Sequence, residues 1–391
     1  MHRRVLRKGC LGFVLVFLLV HNLSLISDTK ALPVAPNVPN VSAQSAILIE
    51  PSANIVIYEK NAHIRLPMAS TTKIMTAIVA LEHISPSTTI EVSPLAVGIE
   101  GSSIYLYAGE HLSMEHLLYA LLLESANDAA AAIAIAVAGS VEAFAELMNQ
   151  KAAELGLNDT HFINPHGLDH EDHYTTASDL ALLAAYCMQN EMFRTIVATQ
   201  RITIPLHDTE SARLLLNHNR LLRSFDGTIG LKTGFTKRSG RCLVSAVERD
   251  GMTLICVTLN APDDWHDHRS LFEYGFGRYT SLMLLAAGAY SRSVYVIGNH
   301  PTAVAISNQN HIRVVLPKQH GEITWTCEAP RWLSGNIEQG QPIGLLVGHC
   351  DGQIIVTEPL IAQSSANANS QNHSFFRRII YFFTKYFTKR S

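Results

Sequence analysis

Ser70 and Lys73, in the run Pro67-Met68-Ala69-Ser70-Thr71-Thr72-Lys73, are the residues whose types and spacing could do covalent chemistry. On a helix, positions i and i+3 share a face, so the amine reaches the hydroxyl with no other element intervening. An amine relieved of its proton by burial and by the positive end of a helix is a base, and the hydroxyl beside it becomes an activated nucleophile. Two further groups would complete an acyl transfer. Ser125-Ala126-Asn127 lies between two apolar helical runs, where its side chains project from a loop, and Lys232-Thr233-Gly234 lies on a strand after the turn-like Phe225-Asp226-Gly227. Ser125 could relay the proton to a departing amine, and Asn127 could hold Lys73 and a substrate amide. Lys232 and Thr233 offer a cation and a hydroxyl to a terminal carboxylate, and Gly234 lets a substrate backbone lie close to the strand.

These residues need a scaffold, and the hydrophobic pattern supplies one. Pro67 suits a helix entrance, and Ile74, Met75, Ala77, Ile78 and Leu81 continue at helical spacing, which predicts a buried helix with Ser70 near its N-terminal end. Ala46 to Ile49 and Asn54 to Tyr58, split by Glu50-Pro51-Ser52-Ala53, predict a hairpin feeding that helix. Helical content follows at 116–123, 129–137, 141–155 and 178–188, with Met75 and Phe144 as core. Strands return at 230–233, 242–247 and 254–259, the last two joined by Arg249-Asp250-Gly251. An α+β arrangement results, one antiparallel sheet with helices against it. From residue 291 short β segments separated by Gly, Asn and Pro predict a small all-β domain up to 362.

At 391 residues the chain suits two domains, and 47% hydrophobic with 16% charged residues excludes disorder for its bulk. Its net charge of −3 is uneven: residues 1–31 carry +4 and residues 373–391 carry +5, leaving −12 on the body. Basic residues do not cluster on the folded part, so nucleic acid is not an expected partner. Arg3, Arg4, Arg7 and Lys8, the apolar stretch Leu11 to Val20 and Thr29-Lys30-Ala31 predict a signal peptide over 1–31, with an uncleaved anchor as the alternative. A proline-punctuated linker covers 32–43, and a Ser, Ala and Asn-rich linker covers 363–372. The tail 373–391 places aromatic and aliphatic residues at helical spacing with Arg and Lys between them, an amphipathic helix suited to a membrane surface or to oligomerisation.

Beyond the signal, Cys187, Cys242, Cys256, Cys327 and Cys350 form an odd set with no pair at metal-ligand spacing, and Cys327 with Cys350 is the candidate bridge. His166, His170 and His173 with Asp169 and Asp172 could be drawn as a metal cluster, but Asn164-Pro165 and Gly167 argue for a solvated polar loop. Trp265, His266, Asp267 and His268 are expected on a surface segment ahead of a helix around Leu271 and Phe272. No metal or organic cofactor is implied.

Ser-x-x-Lys, Ser-x-Asn and Lys-Thr-Gly in this order resemble the constellation of penicillin-binding proteins and serine β-lactamases. Gly101-Ser102-Ser103, Asn164-Pro165-His166-Gly167-Leu168, Thr176-Ala177-Ser178-Asp179-Leu180 and Gly230 to Thr236 are similar to the D-alanyl-D-alanine carboxypeptidases, strongly over 44–290 and by architecture beyond. The resemblance implies a serine DD-peptidase catalytic domain, peptidoglycan stem peptides ending in D-Ala-D-Ala as substrate, β-lactams as covalent inhibitors and a location on the periplasmic face of the inner membrane. It also implies the Ser70 and Phe235 backbone N–H groups as oxyanion donors. A class A β-lactamase would need Glu-x-x-x-Asn after Ser-x-Asn. The stretch 167–174 has Glu171 without that pattern, which favours slow release of β-lactams. A DD-endopeptidase and a non-catalytic wall-binding protein remain the alternatives.

Overall fold

Alternation along the strands explains the central sheet. In β1 (Ser45–Glu50), Ile47 and Ile49 face one core while Ala46 and Leu48 face another. The same division runs through β8 (Gly240–Arg249) and β9 (Met252–Leu259), so these strands are apolar on both faces. With β2 (Ile55–Lys60) and β7 (Thr228–Thr236) they form an antiparallel sheet in the order β2-β1-β9-β8-β7, which leaves β7 at one edge. Asp250 and Gly251, both at positive φ, make the tight turn between β8 and β9. The computed structural model describes residues 38–206, 211–297 and 302–367. The predicted signal peptide, the first half of the 32–43 linker, part of the 363–372 linker and the amphipathic tail lie outside them.

One face of the sheet carries six helices: α1 (Lys73–His83), α2 (Met114–Leu123), α3 (Asn127–Ala138), α4 (Val141–Glu154), α5 (Ala177–Cys187) and α6 (Glu191–Ala198). Helix α1 is the middle of this layer, buried continuously from Lys73 to Ala80. The short ladder β3 (Thr89–Glu91) with β4 (His111–Ser113) and the hairpin β5 (Arg201–Pro205) with β6 (Ala212–Leu216) flank it, and a single turn α7 (Leu221–Ser224) leads to β7. The β5–β6 hairpin and α6, five-residue strands and an eight-residue helix, are not among the predicted elements.

The other face is covered by α8 (Asp264–Arg278), which corrects the expected surface segment: Trp265, His266, Asp267 and His268 are helical, and Asp267 and His268 are buried. Asp267 accepts the Ser42 and Ala43 N–H groups at 2.8 and 3.0 Å and the Ser42 hydroxyl, pinning the start of the folded chain. Asp267→Ala leaves those donors unpaired, so a loss of about 2–4 kcal/mol is expected, measured as a lower urea midpoint with an unchanged m-value.

Helix α8 runs directly into β10 (Tyr279–Leu285), which pairs with β13 (Ile312–Pro317). Strands β11 (Ser291–Ile297), β12 (Thr302–Asn308), β14 (Ile323–Glu328), β15 (Trp332–Ser334), β16 (Pro342–Cys350) and β17 (Gln353–Ala362) form a second sheet in the order β14-β16-β17-β12-β11-β15. Its register rules out the expected Cys327–Cys350 bridge. Cys350 lies opposite Ile323 and Cys327 opposite Leu346, so the two are four rungs apart, roughly 13 Å along the ladder, and a disulfide needs Cα atoms within about 7 Å. Both thiols are free, and Cys327 Sγ accepts from Arg292 Nη1 at 3.2 Å.

Candidate active site

Ser70 stands not on an α-helix but on the 3₁₀ turn Ala69–Thr72 that opens into α1, with Lys73 as the first α-helical residue. In a 3₁₀ turn residues i and i+3 eclipse, so the amine is brought over the hydroxyl more directly than the α-helical spacing implies. Lys73 Nζ lies 3.0 Å from Ser70 Oγ, 2.7 Å from Asn127 Oδ1 and 2.6 Å from the His166 carbonyl. Its side chain is completely buried. That burial, and next the neighbouring Lys232, hold its pKa well below the ordinary lysine range, with Asp128 opposing. A neutral amine donates two hydrogen bonds and accepts one. Asn127 and His166 take the two donations, which leaves the lone pair for the Ser70 hydroxyl proton.

Ser125 and Asn127 straddle the start of α3. Ser125 sits in the preceding loop at φ +62°, whereas Asn127 is the first helical residue rather than part of that loop. Its side-chain amide spans two elements, accepting from Lys73 and donating to the Glu100 carbonyl. Asp128 accepts from Ser103 Oγ at 2.6 Å and from the N–H groups of Ile104 and Leu106, which fixes the 100–106 loop beside the cleft.

Edge strand β7 forms the opposite wall. Thr233, Gly234 and Phe235 line a cleft of about 320 Å³ together with Ser70, Ser102 and Ser125. A Cβ on Gly234 would lie 3.1 Å from both the Met68 carbonyl and the Ser70 nitrogen, tighter than ordinary contact, so a larger residue would push the strand away from the Ser70 backbone. Phe235 is exposed at the rim. Lys232 points under the strand, 1% exposed, with Nζ donating to the Thr233 carbonyl at 2.9 Å. Burial lowers its pKa to about 7, against the pull of Glu124.

The 164–173 loop is a clamp, not the solvated polar segment its composition suggests. His173 is 2% exposed, its ring between Thr72 Oγ1 at 2.7 Å and the Ile163 N–H at 3.0 Å. The Pro165 carbonyl accepts from Thr76 Oγ1 and the His166 carbonyl from Lys73. Asp169, His170 and Asp172 are exposed as expected, and among the described residues no three His, Cys, Asp or Glu side chains converge on one point. Gly167, at φ +88°, packs so tightly that a Cβ would fall 2.0 Å from the Ala69 carbonyl. Gly167→Ala is therefore expected to cost about 2–4 kcal/mol and to slow β-lactam acylation, because relief of the clash moves the Ser70 turn.

The remaining wall contains residues that no motif flagged: His218, Arg220, Arg241, Asp264 and Trp265. His218 faces Glu124 at 3.3 Å, and Arg241 Nε donates to Asp264 Oδ1 at 3.0 Å. Of these, Trp265 belongs to the segment expected at the surface, and Arg241 lies one residue before the strand predicted at 242–247, on the strand next to the Lys-Thr-Gly run.

Helices against an antiparallel sheet, with a serine-bearing cleft at its edge strand, define the architecture of penicillin-binding DD-peptidases. The chain belongs to the D-alanyl-D-alanine carboxypeptidase family, whose model matches residues 32–263. It is 30% identical over 331 residues to the D-alanyl-D-alanine carboxypeptidase DacF of Bacillus subtilis, covering 82% of this chain and 85% of that protein. Penicillin-binding protein 5 from Haemophilus influenzae superposes with a TM-score of 0.68 at 26% identity, over 85% of this chain and 98% of the other. The Streptomyces K15 DD-transpeptidase is 33% identical with a TM-score of 0.58, over 61% of this chain and 98% of that one.

Proposed function

We propose that this protein is a serine-type D-Ala-D-Ala carboxypeptidase that removes the terminal D-alanine of peptidoglycan stem peptides through an acyl-enzyme on Ser70. The observation that carries the reading is the buried, depressed Lys73 amine 3.0 Å from the Ser70 hydroxyl. Ser70 Oγ attacks the penultimate D-alanine carbonyl as its proton passes to Lys73. The tetrahedral oxyanion is received by the Ser70 and Phe235 N–H groups, consistent with the approach of β7 to the Ser70 nitrogen. Ser125, in the same cleft, passes a proton to the D-alanine nitrogen as the C–N bond breaks. Water then attacks the ester and restores Ser70, leaving the shortened peptide as a carboxylic acid. Lys232 supplies positive charge beneath the Thr233 hydroxyl, where the terminal carboxylate would sit. Penicillins acylate the same serine, and the exposed position of Glu171 fits slow rather than rapid hydrolysis of that adduct.

In this reading the chain is exported through residues 1–31 and held at the periplasmic face of the inner membrane by the amphipathic tail. The test of activity is fluorescent-penicillin labelling together with product analysis on a stem pentapeptide and on a crosslinked dimer. D-alanine release from the pentapeptide is expected. Faster cleavage of the dimer would make the enzyme an endopeptidase, and absence of labelling would remove the acyl-enzyme. Membrane fractionation of a chain ending at Gln363 tests the anchor, with release to the soluble fraction expected.

A further inference from the structure

The carboxypeptidase reading needs a group that recognises a carboxylate, and the candidate from the Lys-Thr-Gly run, Lys232, is turned beneath the strand toward the Thr233 carbonyl. The neighbouring strand offers a second cation. In the β7–β8 register Thr233 lies opposite Leu243 and Phe235 opposite Arg241, so Arg241 and Thr233 are diagonal neighbours on one face of the sheet. Diagonal Cβ atoms are about 7–8 Å apart, within reach of a long side chain. Both residues line the cleft that holds Ser70.

The guanidinium is also oriented. Asp264, buried at the start of α8, accepts the Arg241 Nε–H at 3.0 Å and is itself fixed by the Trp265 N–H at 2.9 Å. This uses one edge of the guanidinium and leaves both Nη groups without a protein partner among the described residues. The other two nitrogen-bearing side chains on this wall are engaged differently: His218, whose pKa burial lowers, faces Glu124, and Arg220, exposed, lies 6.0 Å over the Trp265 ring. We propose that Arg241 is a specificity-determining residue that binds the substrate's terminal carboxylate through its Nη groups, together with the Thr233 hydroxyl, while Asp264 positions it. The planar fork of a guanidinium matches both carboxylate oxygens, and its charge persists across the pH range in which Lys232 loses its own.

This inference rests on the carboxypeptidase reading, and its test separates the two. An acyl-D-Ala-D-Ala peptide is compared with its C-terminal carboxamide on wild type, Arg241→Gln, Arg241→Ala and Arg241→Lys, with kcat and KM taken separately. Loss of Arg241 is expected to lower kcat/KM on the acid about 10- to 100-fold, mainly through KM, the size expected for charge-assisted hydrogen bonds. The carboxamide, with no anion to hold, should change by about twofold at most, and Arg241→Lys should recover only part of the acid's loss. Raising the pH from 6 to 8.5 should leave the wild-type KM for the acid nearly flat and raise that of Arg241→Gln, as Lys232, then the cation left beside Thr233, deprotonates. Equal losses on both peptides in variants with wild-type melting curves, or no loss on the acid, overturn the assignment. Failure of the wild type to release D-alanine from either peptide would sink the carboxypeptidase reading instead, and Arg241's role with it.

Discussion

Ser70→Ala is expected to abolish covalent capture of penicillin and to lower D-alanine release by about 10⁴-fold or more, with little change in melting temperature. The hydroxyl is half-buried at the cleft floor, so its removal opens no sizeable cavity and the loss is chemical. Lys73→Ala, with Ser70 intact, is expected to fall by about 10³-fold, the contribution of a well-placed general base. Because the two act as one unit, the double variant should be no slower than Ser70→Ala alone. The pH dependence of acylation follows from the same geometry. In the proposed mechanism Lys73 acts as an unprotonated amine, so the rate is expected to fall as the pH drops through its lowered pKa, and protonation there also places a second positive charge near Lys232. Stopped-flow acylation by a chromogenic cephalosporin over a pH series, on wild type and both variants, reads all three effects. A Lys73→Ala enzyme within about threefold of wild type would mean that the proton leaves Ser70 by another route.

The local part of this site is visible in the sequence because its chemistry is local. Ser70 and Lys73 are three residues apart, and a run of Ile, Met and Ala after them can only be a buried helix. The hairpin at 45–60 and strands β8 and β9 are equally plain, their β-branched runs bounded by turn residues. What could not be read are contacts made by backbone and by distant loops. The His166 carbonyl is as good a partner for Lys73 as the Asn127 side chain, yet a carbonyl leaves no trace in residue identity. The 164–173 loop looks solvated because its polar content is high, but its histidine and glycine pack inward against the Ser70 turn. Asp267 and His268 misled for the opposite reason: a charged and an aromatic polar residue in a run of Asp and His read as surface, while tertiary hydrogen bonds to Ser42, Ala43, Ser245 and Thr258 bury them. Arg241 illustrates the same limit, since its value comes from the strand beside it.

Those inward histidines set the second large effect, on stability in acid. His268, 0% exposed, is held between Ser245 and Thr258, and burial lowers its pKa to about 3. Burial does the same to His173, also to about 3, with nearby His166, His161, His170 and Lys73 adding repulsion. An unfolded imidazole titrates near 6.5, so below that pH the unfolded chain takes up protons that the folded one refuses. The histidines' contribution to stability is therefore complete above about pH 6.5 and is lost as the pH falls toward 3, by about 1.4 kcal/mol per pH unit for each histidine. At pH 4.5 the two together remove about 5 kcal/mol, comparable to the whole stability of many domains. Asp264 works the other way, since burial raises its pKa and the folded state binds that proton more readily, but it is a single group against these two and His166, whose pKa burial lowers to about 4. Urea titrations from pH 7.5 to 4.5 should show the free energy falling steeply below pH 6.5. In His173→Asn the slope should flatten by about 1.4 kcal/mol per pH unit, whatever its stability at neutral pH, because the group that refuses the proton is gone. An unchanged slope in that variant would show that His173 is protonated in the folded state, and the packing of the 164–173 loop onto the Ser70 turn would then be wrong.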